Sequence, residues 1–139
     1  MREVLEERIR LWLGDPDSAV EYFEELEGRT AVRMRQQARD ATTVWFEIGQ
    51  RSLRFEAYFM PAPPATEEVH RQALVRNMGS WRVFFAVDDE GALVLRGRLS
   101  ENRVTLEELD FVLGEIYEFV EVAFRPMIRA GFGNREKTV

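Results

Sequence analysis

The strongest constraint on the fold is a change in hydrophobic period between Ala31 and Met60. Within this stretch, apolar residues recur at every second position in three separate runs. The apolar positions of the runs are Val32 and Met34; Val44, Phe46 and Ile48; and Leu53, Phe55, Ala57 and Phe59. A period of two belongs to strands with one buried face, so the sequence predicts three β-strands. Gly49 and Gln50 join the last two runs, and glycine in first position predicts a type II′ hairpin.

A helix and a second hairpin follow these strands. Pro61, Pro63 and Pro64 end the sheet, because proline has no N–H for the strand ladder. Thr66 and the two glutamates after it predict the start of a helix that ends near Asn77. Its predicted inner residues are Val69, Ala73 and Leu74. Two alternating runs, at 82–88 and 93–99, flank a turn at 89–91 and predict another antiparallel pair.

The last segment predicts a long amphipathic helix. Thr105 and Glu108 have the spacing of a capping box, which places the start of the helix. Apolar residues then recur at spacings of four and three: Leu109, Leu113, Ile116, Val120, Ala123 and Met127. Pro126 is expected to kink or interrupt this helix near Val122, and Gly131 to cap its C-terminus.

The order of these elements predicts an α+β fold. The hydrophobic period of residues 1–13 predicts an amphipathic helix, whereas residues 17–28 fit a helix or a strand equally well. We therefore expect the order α-β-β-β-α-β-β-α, with an antiparallel five-stranded sheet and helices packed on one face. The chain is predicted to be one domain over 1–139, with a core at 30–132 and a tail at 133–139.

Composition excludes several classes of function. The chain has no cysteine and one histidine, which removes thiolate chemistry and leaves most metal sites without ligands. We therefore expect no enzyme activity and no cofactor. The net charge of −6, from 19 basic and 25 acidic residues, works against nucleic-acid binding. No apolar stretch is long enough to cross a membrane, so the predicted location is the cytoplasm.

Several stretches taken together resemble the YbjN domain family of bacterial sensory-transduction regulators. The matching stretches run over 44–49, 85–88, 95–99 and 105–110, followed by Leu113-Gly114 and Gly131-Phe132. Their order and spacing carry the resemblance, which extends over roughly 28–132. It implies a fold similar to type III secretion chaperones, proteins that dimerise and hold a partner chain. It implies no catalytic residues.

Four smaller features have structural explanations. His70 lacks co-ligands and triad partners, so we expect it to be exposed to solvent. Residues 88–91 are typical of a hairpin turn, since a calcium loop starting there would need a glutamate where Leu99 stands. Asn77 is expected to cap backbone groups of the adjoining loop. Gly114, inside a strong helix, suggests a close packing contact within or between subunits.

The alternation also predicts a basic surface on the open face of the sheet. Six arginines and three interleaved aromatic residues form this candidate partner surface: Arg33, Arg35, Arg54, Arg82, Arg96, Arg98, Trp45, Tyr58 and Phe84. It could bind an anion or single-stranded nucleic acid. Alternatively, Glu47, Glu56 and Asp88 neutralise the arginines and the face is merely solvated.

The last helix has more apolar surface than one sheet face covers. The excess residues Tyr117, Phe119 and Phe124 form a candidate dimer surface. The sequence therefore favours a protein-binding regulator or chaperone-like adaptor that forms a homodimer and binds an unidentified protein partner. Anion or single-stranded nucleic-acid binding through the arginine face is the alternative.

Overall fold

Residues 1–133, the part of the chain that the structure describes, form an antiparallel sheet with helices packed on one face. The structure is a computed structural model. Its elements are α1 (Arg2–Gly14), β1 (Val20–Leu26), β2 (Arg29–Arg35), β3 (Ala41–Ile48), β4 (Ser52–Met60), α2 (Glu67–Asn77), β5 (Phe84–Val87), β6 (Leu93–Ser100), a 3-10 turn (Glu101–Arg103) and α3 (Leu106–Phe132). Apart from Gly133, the predicted tail lies outside the described residues.

The described sheet has six strands in the order β1-β2-β3-β4-β6-β5, and each neighbouring pair is antiparallel. The prediction of five strands is therefore wrong, because the ambiguous segment at 17–28 contains β1. This strand lies at one edge of the sheet, and within its described residues only Val20 is buried. A strand without a buried face needs no alternation of apolar and polar residues, so the period of two is missing here.

Two hairpin turns flank the pair of strands β2 and β3, and positive φ occurs in the first turn but not at the predicted glycine of the second. Between β1 and β2, Glu27 and Gly28 have φ values of 50° and 81°. Positive φ at both central residues is typical of a type I′ turn. Gly49, between β3 and β4, does not have a positive φ, and its N–H donates to the carbonyl of Ser52 at 2.8 Å. The type II′ prediction is wrong, because β4 starts only at Ser52 and the longer loop needs no left-handed residue.

The core lies between the inner face of the sheet and the helices. Phe46, Phe55 and Phe85 are buried on this face, as the alternation predicts. The ring centroids of Phe46 and Phe55 lie 6.4 Å apart. Trp12 of α1 is also buried, and its Nε1–H donates to Oδ1 of Asp110 at 2.8 Å. Because Asp110 belongs to α3, this bond joins the N-terminal helix to the C-terminal one.

Helix α2 buries only a narrow side. Val69 and Ala73 are buried, whereas Leu74, which was predicted to face the core, is 68% exposed. Successive helical residues point about 100° apart, so a helix that buries positions 69 and 73 turns position 74 towards solvent. Thr66 stands at the N-cap position as expected, but its side chain makes no capping hydrogen bond.

Helix α3 begins where the sequence predicts. The hydroxyl of Thr105 accepts a hydrogen bond from the N–H of Glu108 at 3.1 Å. The carboxylate of Glu108 binds Arg82, so the second bond of the predicted capping box is replaced by an ion pair. This pair links the first turn of α3 to the segment before β5.

The end of α3 departs from the prediction. The helix continues through Pro126 to Phe132, so the expected interruption is wrong. Gly131 is buried inside the helix, and the C-cap is Gly133, with a φ of 73°. A Cβ atom at Gly131 would lie 2.6 Å from Cβ of Pro63. Glycine is needed there because α3 packs tightly against the proline-rich loop after β4.

Candidate protein-interaction surfaces

The open face of the sheet has a tryptophan near its centre and charged residues around it. One row of cross-strand neighbours runs through all six described strands: Glu24, Ala31, Trp45, Glu56, Arg96 and Phe84. The guanidinium of Arg29 stacks over the ring of Trp45 at 4.5 Å. The exposed members of the predicted partner surface on this face are Arg33, Arg35, Arg54, Arg96, Arg98, Tyr58 and Phe84. Trp45 is half-buried.

Carboxylates neutralise part of this face. Nε of Arg33 donates to the carboxylate of Glu21 at 3.1 Å. Arg54 donates to the carboxylate of Glu47, its cross-strand neighbour. Among the described residues, three arginines of the face have no ion pair: Arg35, Arg96 and Arg98. The face is therefore a surface of mixed charge and not a continuous basic field.

Arg82 does not belong to the open face, so that part of the prediction is wrong. Its Nε and Nη2 donate to Glu108 of α3 at 2.6 and 2.8 Å, and its Nη1 lies 3.5 Å from Glu115. The hydrogen bond with Glu108 raises the pKa of Arg82, and the same bond lowers the pKa of Glu108. Alternation misplaces Arg82 because this residue precedes β5 and its partners lie on a distant helix.

The predicted dimer surface on α3 is largely used inside the chain. The ring of Phe119 packs edge-on against that of Phe85, with ring centroids 5.2 Å apart. The ring of Phe124 packs in the same way against that of Phe59, with centroids 5.7 Å apart. Together with Tyr117 these side chains are partly buried and pack against the core. The expectation that they are excess surface is wrong, because the sheet and its flanking segments cover more of α3 than the sequence indicates.

A different apolar surface is exposed at the junction of α2 and β5. We call Leu74, Met78, Trp81 and Val87 the α2–β5 patch. Met78 is 88% exposed and Trp81 is 82% exposed. A pocket of about 240 Å³ lies between the helix and the strand, and both Leu74 and Val87 line it. Sequence reasoning missed this patch, although a methionine and a tryptophan in the loop after a polar helix are a visible signal.

Two side chains hold β5 in place at this junction. Oδ1 of Asn77 accepts from the N–H of Phe85 at 2.8 Å, and its Nδ2 donates to the carbonyl of Phe85 at 3.2 Å. The carboxylate of Glu115 accepts from the N–H groups of Trp81, Arg82 and Val83 at 3.1–3.2 Å. Asn77 thus binds the strand rather than the adjoining loop. At the outer edge of β5, the N–H and C=O of Phe85 are therefore already occupied.

The remaining candidates also have defined places. His70 is half-buried beside the α2–β5 pocket, so its predicted exposure is wrong. The carboxylate of Asp88 accepts from the N–H groups of Glu90 and Ala92, as in a hairpin turn. A Cβ atom at Gly114 would meet nothing within 4 Å. The expected close contact at Gly114 is therefore absent within the described chain.

The described residues contain neither a helix suited to cross a membrane nor a cluster of metal-binding side chains. None of the described helices combines the length and the apolar character that a membrane crossing requires. Residues 1–133 also contain no group of three or more histidine, cysteine, aspartate or glutamate side chains placed to hold a metal ion.

Comparison with known proteins decides the family of this chain. The model of the YbjN family, described as "Putative bacterial sensory transduction regulator", matches residues 6–128. The chain belongs to the YbjN family. This match includes most of α1 and all of β1, so it begins earlier than the resemblance noted from the sequence.

Curated relatives of this YbjN-family chain come from mycobacteria. Uncharacterized protein ML2442 of Mycobacterium leprae is 32% identical over 120 residues, which are 86% of this chain and 61% of that protein. Uncharacterized protein Rv0487 of Mycobacterium tuberculosis is 33% identical over 86 residues, 61% of this chain and 47% of that protein. The chain thus spans about half to three-fifths of the length of these relatives.

Two solved structures share the fold. The Yersinia pestis type III secretion chaperone SycH, crystallised with a stable fragment of YscM2, has a TM-score of 0.61 and 20% identity. That alignment covers 85% of this chain and 94% of SycH. The crystal structure of "YbjN, a putative transcription regulator from E. coli" has a TM-score of 0.52 and 18% identity, and covers 84% and 85% of the two chains. The α+β fold is therefore similar to that of a type III secretion chaperone.

Proposed function

We propose that this chain is a cytoplasmic, non-enzymatic regulator or chaperone-like adaptor that binds protein partners and forms a homodimer. The family description supports a regulatory role. The neighbour SycH was crystallised in complex with a stable fragment of YscM2, which supports a protein partner for this fold. The cysteine-free sequence agrees with a reducing compartment.

The observation that carries the proposal is the exposure of the α2–β5 patch. Met78 and Trp81 are each more than four-fifths exposed, although side chains of this kind are enriched in the buried centres of protein interfaces. All four members of the patch are apolar and at least half exposed. Because the Asn77 amide occupies the N–H and C=O of Phe85, we expect such a contact to depend on side chains rather than on pairing with β5.

Sedimentation velocity of the full chain tests the homodimer. We expect the unmodified protein to sediment as a dimer, and Met78→Glu or Trp81→Ala to sediment as a monomer with an unchanged circular dichroism spectrum. Val122→Glu is the matched control, since Val122 is an exposed apolar residue of α3 outside the patch. A monomeric unmodified protein, or equal disruption by Val122→Glu, would contradict the proposed dimer contact.

Anion or nucleic-acid binding through the open face has weaker support. Arg82 is on another surface, and Arg33 and Arg54 are paired with carboxylates. The family and the fold neighbours give this alternative no support.

A further inference from the structure

The two edges of the described sheet differ in their capacity to accept another strand. β1 pairs only with β2, and no backbone group of residues 21–26 makes a hydrogen bond elsewhere in the described chain. In an antiparallel pair, alternate residues point their N–H and C=O groups away from the neighbour, so one side of β1 is an open ladder. At the other edge, Asn77 occupies the N–H and C=O of Phe85 in β5, and Glu115 occupies the N–H groups of residues 81–83 just before this strand.

An apolar groove runs beside the open edge. It lies between α1 and β1, has a volume of about 880 Å³, and we call it the α1–β1 groove. Its apolar lining consists of Leu5, Ile9, Leu13 and Phe23. Phe23, on the inner face of β1, is 43% exposed, and Leu13 is exposed to a similar degree. A strand added to β1 would direct every second side chain into this groove.

The groove carries an excess of negative charge. Five glutamates and two arginines line it: Glu3, Glu6, Glu7, Glu24, Glu25, Arg2 and Arg10. Both arginines are already paired, Arg10 with Glu7 and Arg2 with Glu25. Glu6 and Glu24 have no ion pair within the described residues. Basic side chains on an incoming segment would therefore find unpaired carboxylates at the edge.

The same charge argues against a second copy as the occupant. β1 itself contains Glu21, Glu24 and Glu25 and has no basic residue. Pairing two copies of β1 would bring six carboxylates together, and like charges on neighbouring strands destabilise a sheet. The edge is suited to a different chain.

We propose that β1 and the α1–β1 groove bind an extended segment of a partner protein in which apolar residues alternate with lysine or arginine. The segment joins the sheet as a seventh strand, places its apolar side chains against Phe23 and Leu13, and places its basic side chains beside glutamates such as Glu24. Main-chain hydrogen bonds supply affinity in this mode of recognition, and the alternate side chains supply specificity. The inference rests on the proposed protein-binding function and names the chemistry of the partner.

Synthetic peptides as long as β1 test this directly. The probe alternates valine with lysine, and its charge control replaces every lysine by glutamate. Two further probes keep the valine–lysine sequence but carry N-methyl groups at every second amide. One probe is methylated at the odd-numbered amides and the other at the even-numbered amides. By fluorescence anisotropy we expect the lysine peptide to bind, the glutamate peptide not to bind, and only one of the two methylated peptides to lose binding, because a strand pairs through alternate amides.

Substitutions locate the contact. We expect Phe23→Lys to weaken binding of the lysine peptide by about tenfold, since it removes an apolar contact and adds a like charge. Glu24→Lys should also weaken binding, and high salt should weaken it further. Val122→Lys and Glu118→Lys are controls with the same chemical changes on an exposed side of α3. Both should bind as the unmodified protein does.

Three results would overturn the inference: equal binding of the lysine and glutamate peptides, full binding of both methylated peptides, or unchanged binding by Phe23→Lys. Loss of self-association in Phe23→Lys would do so as well, because it would assign the groove to a second copy. A dimer that depends on Trp81 while no peptide binds would overturn this inference alone and leave the proposed homodimer standing.

Discussion

Two glycines of α3 test the packing of this helix with the same substitution. Gly114 lies at its exposed middle, and a Cβ atom there would meet nothing within 4 Å. Gly131 is buried near its end, and a Cβ atom there would lie 2.6 Å from Pro63 and 2.9 Å from Val69. We predict that Gly114→Ala stabilises the protein and that Gly131→Ala destabilises it.

The magnitudes follow from helix propensity and steric overlap. Alanine is better than glycine inside a helix by about 1 kcal/mol, so Gly114→Ala should raise the free energy of unfolding by about that amount. At Gly131 the overlap should cost about 1–3 kcal/mol, because backbone-anchored neighbours such as Pro63 cannot move aside easily. Because the propensity gain of about 1 kcal/mol offsets part of this cost, the net loss there should be up to about 2 kcal/mol. For a chain of this size, 1 kcal/mol corresponds to roughly 4 °C in Tm.

Urea denaturation followed by circular dichroism measures both variants against the unmodified protein. The slope of the transition should stay constant, so that a shift of the midpoint reports stability alone. Equal stabilisation by both substitutions would show that α3 does not pack against Pro63 as described. Destabilisation by Gly114→Ala would show that another surface, such as a second subunit, occupies the space beside Gly114.

Two further predictions concern side chains that organise the segment around β5. Asn77→Ala should cost about 1–3 kcal/mol, since it leaves both backbone groups of Phe85 unpaired, and should speed amide exchange at Phe85; unchanged exchange would contradict the contact. The bond with Arg82 lowers the pKa of Glu108 in the folded protein. This pair therefore stabilises the fold fully at pH values above the pKa that Glu108 has in the unfolded chain. The stabilisation is lost as the pH falls through the lower pKa of the folded protein. Urea midpoints should fall between about pH 5 and pH 3. Glu108→Gln should reduce that fall, and an equal fall in the variant would refute the assignment.

Much of the fold could be predicted because its strands and helices have one buried face each. Val44 and Phe46 alternate with half-exposed residues, and Leu109 and Leu113 recur at helical spacing, so their burial is visible in the sequence. β1 was not predictable in the same way. Its residues after Val20 are exposed, and an edge strand held by its neighbour's backbone leaves little pattern in side-chain polarity.

The sites were harder to predict because they depend on contacts between distant segments. Arg82 follows the alternation of its neighbours, but two glutamates on α3 determine where its guanidinium lies. Gly131 has the position of a helix cap, and only its neighbours in the fold, such as Pro63 and Val69, show that it is a packing residue. The exposure of Met78 and Trp81 depends on how the short loop leaves α2, which sequence periodicity does not specify.

The amide of Asn77 has a consequence for assembly beyond one molecule. Strand-by-strand growth into fibrils requires two receptive flanks, so that each newly added subunit offers a site to the next. Here the Asn77 amide occupies the outward N–H and C=O of Phe85 within the short β5 edge. Growth through β5 would have to displace this amide, whereas a strand that docks on β1 meets no such obstacle, so the protein can hold an extended guest with less tendency to seed a polymer.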